Sequence, residues 1–156
     1  MTAPEAAPTY RERLTPGPWM FVTLLIMVPA VMLVMTPLNQ DLAIPVAVVL
    51  YITIAASLLL AAPTVSVHDG VLTAGTARIP VEQLGAIDLL SGEELREAIG
   101  PKLDARAYLM VRGYIHSGIR VVVADATDPA PYWVITSRKP QTLRAAIVAA
   151  QAATAA

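Results

Sequence analysis

Apolar and polar positions change their spacing partway along this chain, and the change divides it. Between residues 14 and 40 no side chain is charged, and after Asp41 a second uncharged run extends from residue 42 to 67. A bilayer hydrocarbon core about 30 Å thick needs roughly 20 helical residues, because lipid cannot hydrogen-bond an open backbone. Both runs are long enough. The first span is predicted over 19–36, entered through Thr15, Pro16, Gly17 and Pro18, with Trp19 where an interfacial aromatic belongs and Pro29 as an internal kink. The second is predicted over 42–62, with Pro45 in its first turn and Pro63 as its stop. The connector, residues 37–41, is too short to fold, so 19–62 reads as a transmembrane helical hairpin. The first apolar stretch exceeds a signal-peptide core, and Met35, Thr36 and Pro37 make a poor cleavage site, so retention is expected.

From Thr64 the period becomes two. Val65 and Val67 alternate with polar neighbours, Asp69-Gly70 supplies a tight hairpin turn, and residues 71–74 resume the strand. A short edge strand is predicted around Arg78 to Val81 and another strand over 84–90. Ser91 and Glu94 have capping-box spacing and open a short helix that Gly100-Pro101 stops. Strands are then predicted over 106–114, 118–125 and 132–136. Pro140 opens a last helix with Leu143, Ala146, Ile147 and Ala150 on one face, and residues 152–156 are expected to fray. The predicted class is α+β: an N-terminal segment (1–18), the hairpin (19–62), and a small antiparallel β-barrel or sheet domain with a C-terminal helix (63–151). A bent antiparallel sheet plugged at one corner by a terminal helix is the layout of a pleckstrin-homology-like barrel.

Composition narrows the chemistry. The 156 residues are 56% hydrophobic and 15% charged, with no Cys, which removes disulfides, thiolate metal sites and cysteine nucleophiles. After Ala62 nine Lys and Arg face nine Asp and Glu, so the broad positive field that nucleic acid requires is missing. Arg11 and Arg13 precede the hairpin, basic residues follow it, and the connector has none. By the positive-inside rule both termini are expected in the cytoplasm, with the protein in the plasma membrane. Neither span holds an ionisable group other than Tyr51, which argues against transport.

The residues Tyr10 to Leu14 (YRERL), two apolar spans, Val67-His68-Asp69-Gly70, Gly75 with Arg78-Ile79-Pro80, and above all residues 125–140 (DATDPAPYWVITSRKP) resemble a family of actinobacterial membrane proteins, domain of unknown function 3093. The similarity covers about residues 10–151. It implies a two-span anchor carrying a small cytoplasmic domain, and it brings no catalytic residue with it.

Candidate sites are few. His68 and His116 lack the spacing of a metal-ligand set, and no phosphate loop or nucleophile elbow is present, so no metal, cofactor or catalytic residue is assigned. Thr136, Ser137, Arg138 and Lys139 stand at a strand-to-helix junction, where hydroxyls, cations and free N–H groups could gather an anion such as a lipid head group. Thr53, Ser57 and Ala61 recur every four residues, a strip suited to close helix packing, first of all within the hairpin. Ala43 and Ala47 offer a second such step. Tyr132 and Trp133 read as packing residues, and Asp125 and Asp128 as Asx-turn acceptors.

The expected function is a non-enzymatic, membrane-anchored binding or scaffolding module. Its expected partners are the lipid bilayer itself and a membrane protein or anionic lipid head groups, with no nucleic acid. The alternatives are an enzyme acting on a lipid or cell-envelope precursor and an accessory subunit of a membrane complex.

Overall fold

The structure, a computed structural model, describes residues 10–155. It forms two compact units, one spanning Thr15–Ala62 and the other joining residues 10–14 to residues 63–155.

The first unit is helical. Helix α1 (Pro18–Leu25) carries Pro18 at its start, where a missing N–H is harmless, and α2 (Met27–Met35) follows after a break at Ile26. Pro29 causes the break: it offers no N–H to the carbonyl four residues earlier, that of Leu25, and its ring crowds that carbonyl. Helix α3 (Gln40–Leu60) starts two residues before its predicted limit, because the Asn39 side chain accepts the N–H groups of Asp41 and Leu42 at 3.1 and 3.3 Å. Its two buried residues are Ala43 and Ala47, one turn apart. Thr53, Ser57 and Ala61 are exposed, which corrects the expectation that they form the seam of the hairpin. The Thr53 and Ser57 hydroxyls donate back to the carbonyls of Val49 and Thr53, both at 2.7 Å, so the helix satisfies them itself.

The second unit holds two four-stranded sheets. The first contains β1 (Tyr10–Arg13), β2 (Thr64–His68), β3 (Val71–Ala74) and β4 (Ala77–Pro80), in that order and antiparallel throughout. Asp69 and Gly70 have φ of 48° and 70°, the paired left-handed residues that a tight turn between β2 and β3 needs. Strand β1 corrects the sequence reading: residues 10–13 are the edge of the sheet rather than a separate segment, and the domain does not begin at residue 63. The remainder of the predicted 1–18 segment before Tyr10 lies outside the described residues. Arg13 pairs with Thr64 and the Leu14 N–H reaches the Pro63 carbonyl at 2.9 Å, so the helical unit is an insertion between adjacent strands.

The second sheet has the order β5 (Leu84–Ser91), β7 (Ser117–Val123), β8 (Tyr132–Thr136), β6 (Tyr108–Met110), with β6 and β8 parallel. The predicted strand over 106–114 shrinks to three residues. Asp104 draws in the Arg106 N–H at 2.9 Å and makes a turn before it, and the Arg112 N–H is diverted to the Thr136 hydroxyl at 3.0 Å after it. Helix α4 (Gly92–Ile99) lacks the expected capping bond, since Ser91 belongs to β5 and Gly92 leaves it at a φ of 50°. Helix α5 (Pro140–Thr154) buries Leu143, Ala146, Ile147 and Ala150 as expected, and it continues through residues predicted to fray.

One core lies among both sheets and α5, drawing on Val65, Leu72, Ile79, Ile119, Val121, Ile135, Leu143 and Ile147. A smaller cluster under α4 joins Leu95 to Tyr132 and Val134. Every residue of β8 is buried, because alternate side chains enter the two clusters.

Candidate functional site

The junction between β8 and α5 was the sequence's best candidate for collecting an anion. It does collect one, and the anion is the chain's own Glu12. Alternation along β1 turns Tyr10 and Leu14 into the core and brings Glu12 to the same side. The Ser137 hydroxyl donates to Glu12 Oε2 at 2.5 Å, the Tyr10 hydroxyl to the same oxygen at 2.7 Å, and the Arg138 N–H to Oε1 at 3.0 Å. Ser137 is held from other directions as well. Its Oγ accepts the Lys139 N–H at 3.0 Å, while its N–H and carbonyl both engage Ser117.

The result is a fully buried hydroxyl whose donor capacity goes to a carboxylate 125 residues away in sequence. Burial pushes the Tyr10 phenol up to about 12, opposed by its contact with Ser137 and reinforced by the Glu12 carboxylate.

The four predicted anion-site residues therefore separate by role. Thr136 is fully buried and internal: it accepts the Arg112 N–H and donates to the Met110 carbonyl at 3.2 Å, tying β6 to β8. Ser137 anchors Glu12. Arg138 and Lys139 contribute backbone N–H groups, and both residues are exposed. An external anion at Ser137 is accordingly replaced by an internal one. Tyr10 and Glu12 were missed as site residues, although the alternation of Tyr10, Glu12 and Leu14 with Arg11 and Arg13 is a period-two signal that marks a strand.

Other candidates resolve into structure. Trp133 lies in the main core with its ring 4.5 Å from that of Tyr108. Tyr132 lies in the smaller cluster, accepts the Asp104 N–H at 2.8 Å, and carries the Arg120 guanidinium over its ring at 4.2 Å. Asp125 accepts the Thr127 N–H and hydroxyl, and these bonds hold its carboxyl below the usual range; Asp128 accepts the Ala130 N–H at 2.8 Å. His68 sits at the first turn 3.0 Å from Asp69, and the Ser117 hydroxyl beside His116 is committed to the Ser137 carbonyl at 2.7 Å. Among the described residues no cluster of three His, Asp or Glu forms. A groove of about 540 Å³ between β5 and α5 is lined by Leu89, Gln141, Arg144, Ala145, Val148, Ala149 and Ala152, with one charged side chain and no titratable pair.

No curated protein and no solved structure matches this chain. Residues 9–147 match the family described as "Protein of unknown function (DUF3093)", and with most of its length covered, the chain belongs to that family.

Proposed function

We propose that this chain is a membrane-anchored binding or scaffolding module without catalytic activity, whose helical unit crosses the plasma membrane twice and whose β unit is a pleckstrin-homology-like sandwich in the cytoplasm. One observation carries the reading. Helices α1 and α2 bury none of their residues, and Ile26, Leu33, Val49 and Leu60 are 69, 79, 63 and 79% exposed, a surface that water does not tolerate at this extent. The apolar stretches of 18 and 21 residues match a hydrocarbon core.

Topology supports the sidedness. Arg13 and Thr64 are paired across adjacent strands, so the chain leaves and re-enters the sheet about 5 Å apart, as an even number of crossings demands. The arginines of β1 then favour the cytoplasmic face. Support for the sandwich comes from its order: a four-stranded antiparallel meander, a second sheet, and a terminal helix closing one core. The binding reading draws on the groove between β5 and α5, whose lining is apolar apart from Gln141 and Arg144. A second reading, accessory subunit of a membrane complex, draws on the Thr53, Ser57 and Ala61 strip, which the hairpin leaves uncovered.

Because the chain has no Cys, single cysteines report sidedness cleanly. An impermeant maleimide should label Leu38→Cys on intact cells and Ala153→Cys only after permeabilisation, and alkaline carbonate should leave the protein in the membrane pellet. Extraction by carbonate, or the reverse labelling pattern, refutes the proposal.

A further inference from the structure

We propose that the outward face of the β1–β4 sheet binds anionic phospholipid head groups of the membrane that carries the hairpin. The proposal rests on the membrane reading above and adds the surface through which the β unit recognises lipid.

The register of the sheet makes the case. Arg11 pairs with Ser66, Ser66 with Thr73, and Thr73 with Arg78, so one row crosses all four strands as Arg–Ser–Thr–Arg. Three interstrand spacings of about 4.8 Å separate its ends by about 14 Å. Arg13 and Thr64 begin the next row on the same face. Alternation places Tyr10, Val65, Val67, Leu72, Ala74 and Ile79 on the core side, which leaves the arginines and hydroxyls facing out.

Two arginines of this face, Arg11 and Arg78, carry charge with no acidic strand residue beside them. Glu12 is the sheet's one acidic strand residue, and it is turned to the other side, where Ser137, Tyr10 and the Arg138 N–H hold it. Arg11 and Arg78 are exposed, and neither pairs with a carboxylate among the described residues. Thus a chain of net charge −1 keeps Arg11 and Arg78 on one face, with Asp69 beside His68 at the first turn. Guanidinium groups engage phosphate through paired N–H bonds, and neighbouring hydroxyls add donors.

Chain length selects the source of phosphate. Only four residues separate Arg13 from Pro18, and three separate Leu60 from Thr64. At no more than about 3.6 Å per residue, tethers this short hold the β unit to the membrane that carries the hairpin. Lipid head groups beside an inserted hairpin are therefore present at high effective concentration, unlike free phosphate or a soluble partner.

The test uses the full chain in detergent micelles containing equal phosphatidylglycerol and phosphatidylcholine, with retained lipid read by native mass spectrometry. Wild type should retain phosphatidylglycerol preferentially. An arginine near an anionic surface is worth about fivefold, so Arg11→Gln with Arg78→Gln should cut that preference about 25-fold. Arg96→Gln, on α4, should leave it intact. Equal retention of the two lipids by wild type, or equal loss in the Arg96 variant, overturns the proposal, as does loss of a co-purifying protein with lipid preference unchanged. Carbonate extraction of the same variants keeps the two ideas apart: recovery in the pellet with no lipid preference sinks this inference alone, whereas release into the supernatant sinks the membrane reading.

Discussion

Replacing Glu12 with Ala takes the acceptor from three donors at once. Hydrogen bonds to a charged group contribute about 1.5–3 kcal/mol each, but the three do not weigh equally. Arg138 is exposed, so water replaces the carboxylate at its N–H with little loss. The Ser137 hydroxyl is fully buried and the Tyr10 residue 8% exposed, so their donors are stranded, relieved in part by the 3.3 Å contact between them. A net cost of about 2–4 kcal/mol follows for Glu12→Ala. Glu12→Gln keeps one carbonyl oxygen and should cost about half as much. For a unit of this size 1 kcal/mol corresponds to about 4–8 °C, so Glu12→Ala should lower Tm by about 8–32 °C. The assay is thermal unfolding of the full chain in detergent, followed by the near-ultraviolet dichroism to which the Tyr108–Trp133 pair contributes. A double-mutant cycle with Ser137→Ala should give a coupling of about 1 kcal/mol or more. A Tm loss below about 2 °C, or effects of the two substitutions that simply add, would refute the clamp.

Two further outcomes follow from the same geometry. Because folding raises the Tyr10 phenol from 10.0 to about 12, the stability it contributes is complete below pH 10 and disappears as pH climbs from 10 to 12. Unfolding midpoints measured from pH 9 to 12 should fall less steeply for Tyr10→Phe than for wild type, and identical slopes would count against the burial argument. A Cβ at Gly118 would run into the Ile135 carbonyl oxygen and lie 3.0 Å from the Thr136 Cα, so Gly118→Ala must prise β7 from β8 and should cost about 3 kcal/mol or more. Gly113→Ala, with nothing within 4 Å, should stay within about 0.5 kcal/mol in the same melt.

What the sequence revealed tracks how local each determinant is. The apolar helices were legible because a bilayer-length run without charge needs no partner to be recognised. The Asp69-Gly70 turn was legible because backbone φ restricts which residues can stand there. The buried face of α5 followed from its own 3.6-residue period. Strand β1 stayed hidden: its partner begins at Thr64, and two arginines beside an apolar run read more simply as juxtamembrane charge. Ser91 misled because a capping box depends on where the preceding strand stops, and β5 carries Ser91 to its pairing with Ser117. At residues 136–139 the chemistry of anion capture was visible, whereas its occupant depended on a contact spanning 125 residues. Thr53, Ser57 and Ala61 show the same limit, since spacing picks out a face without saying what covers it.

The placement of the helical unit between β1 and β2 also sets a timetable for biosynthesis. Among the described strands Tyr10 to Arg13 leave the ribosome first, yet β2 follows only after both apolar helices have been translated, and Ser137 emerges later still. The Glu12 contact of the earliest strand therefore waits for one of the last, and an interrupted polypeptide lacking the region after β7 cannot close around Glu12 at all. Both apolar helices are therefore complete before the carboxylate latch can close, and the latch reports that the chain has been made at least through Ser137.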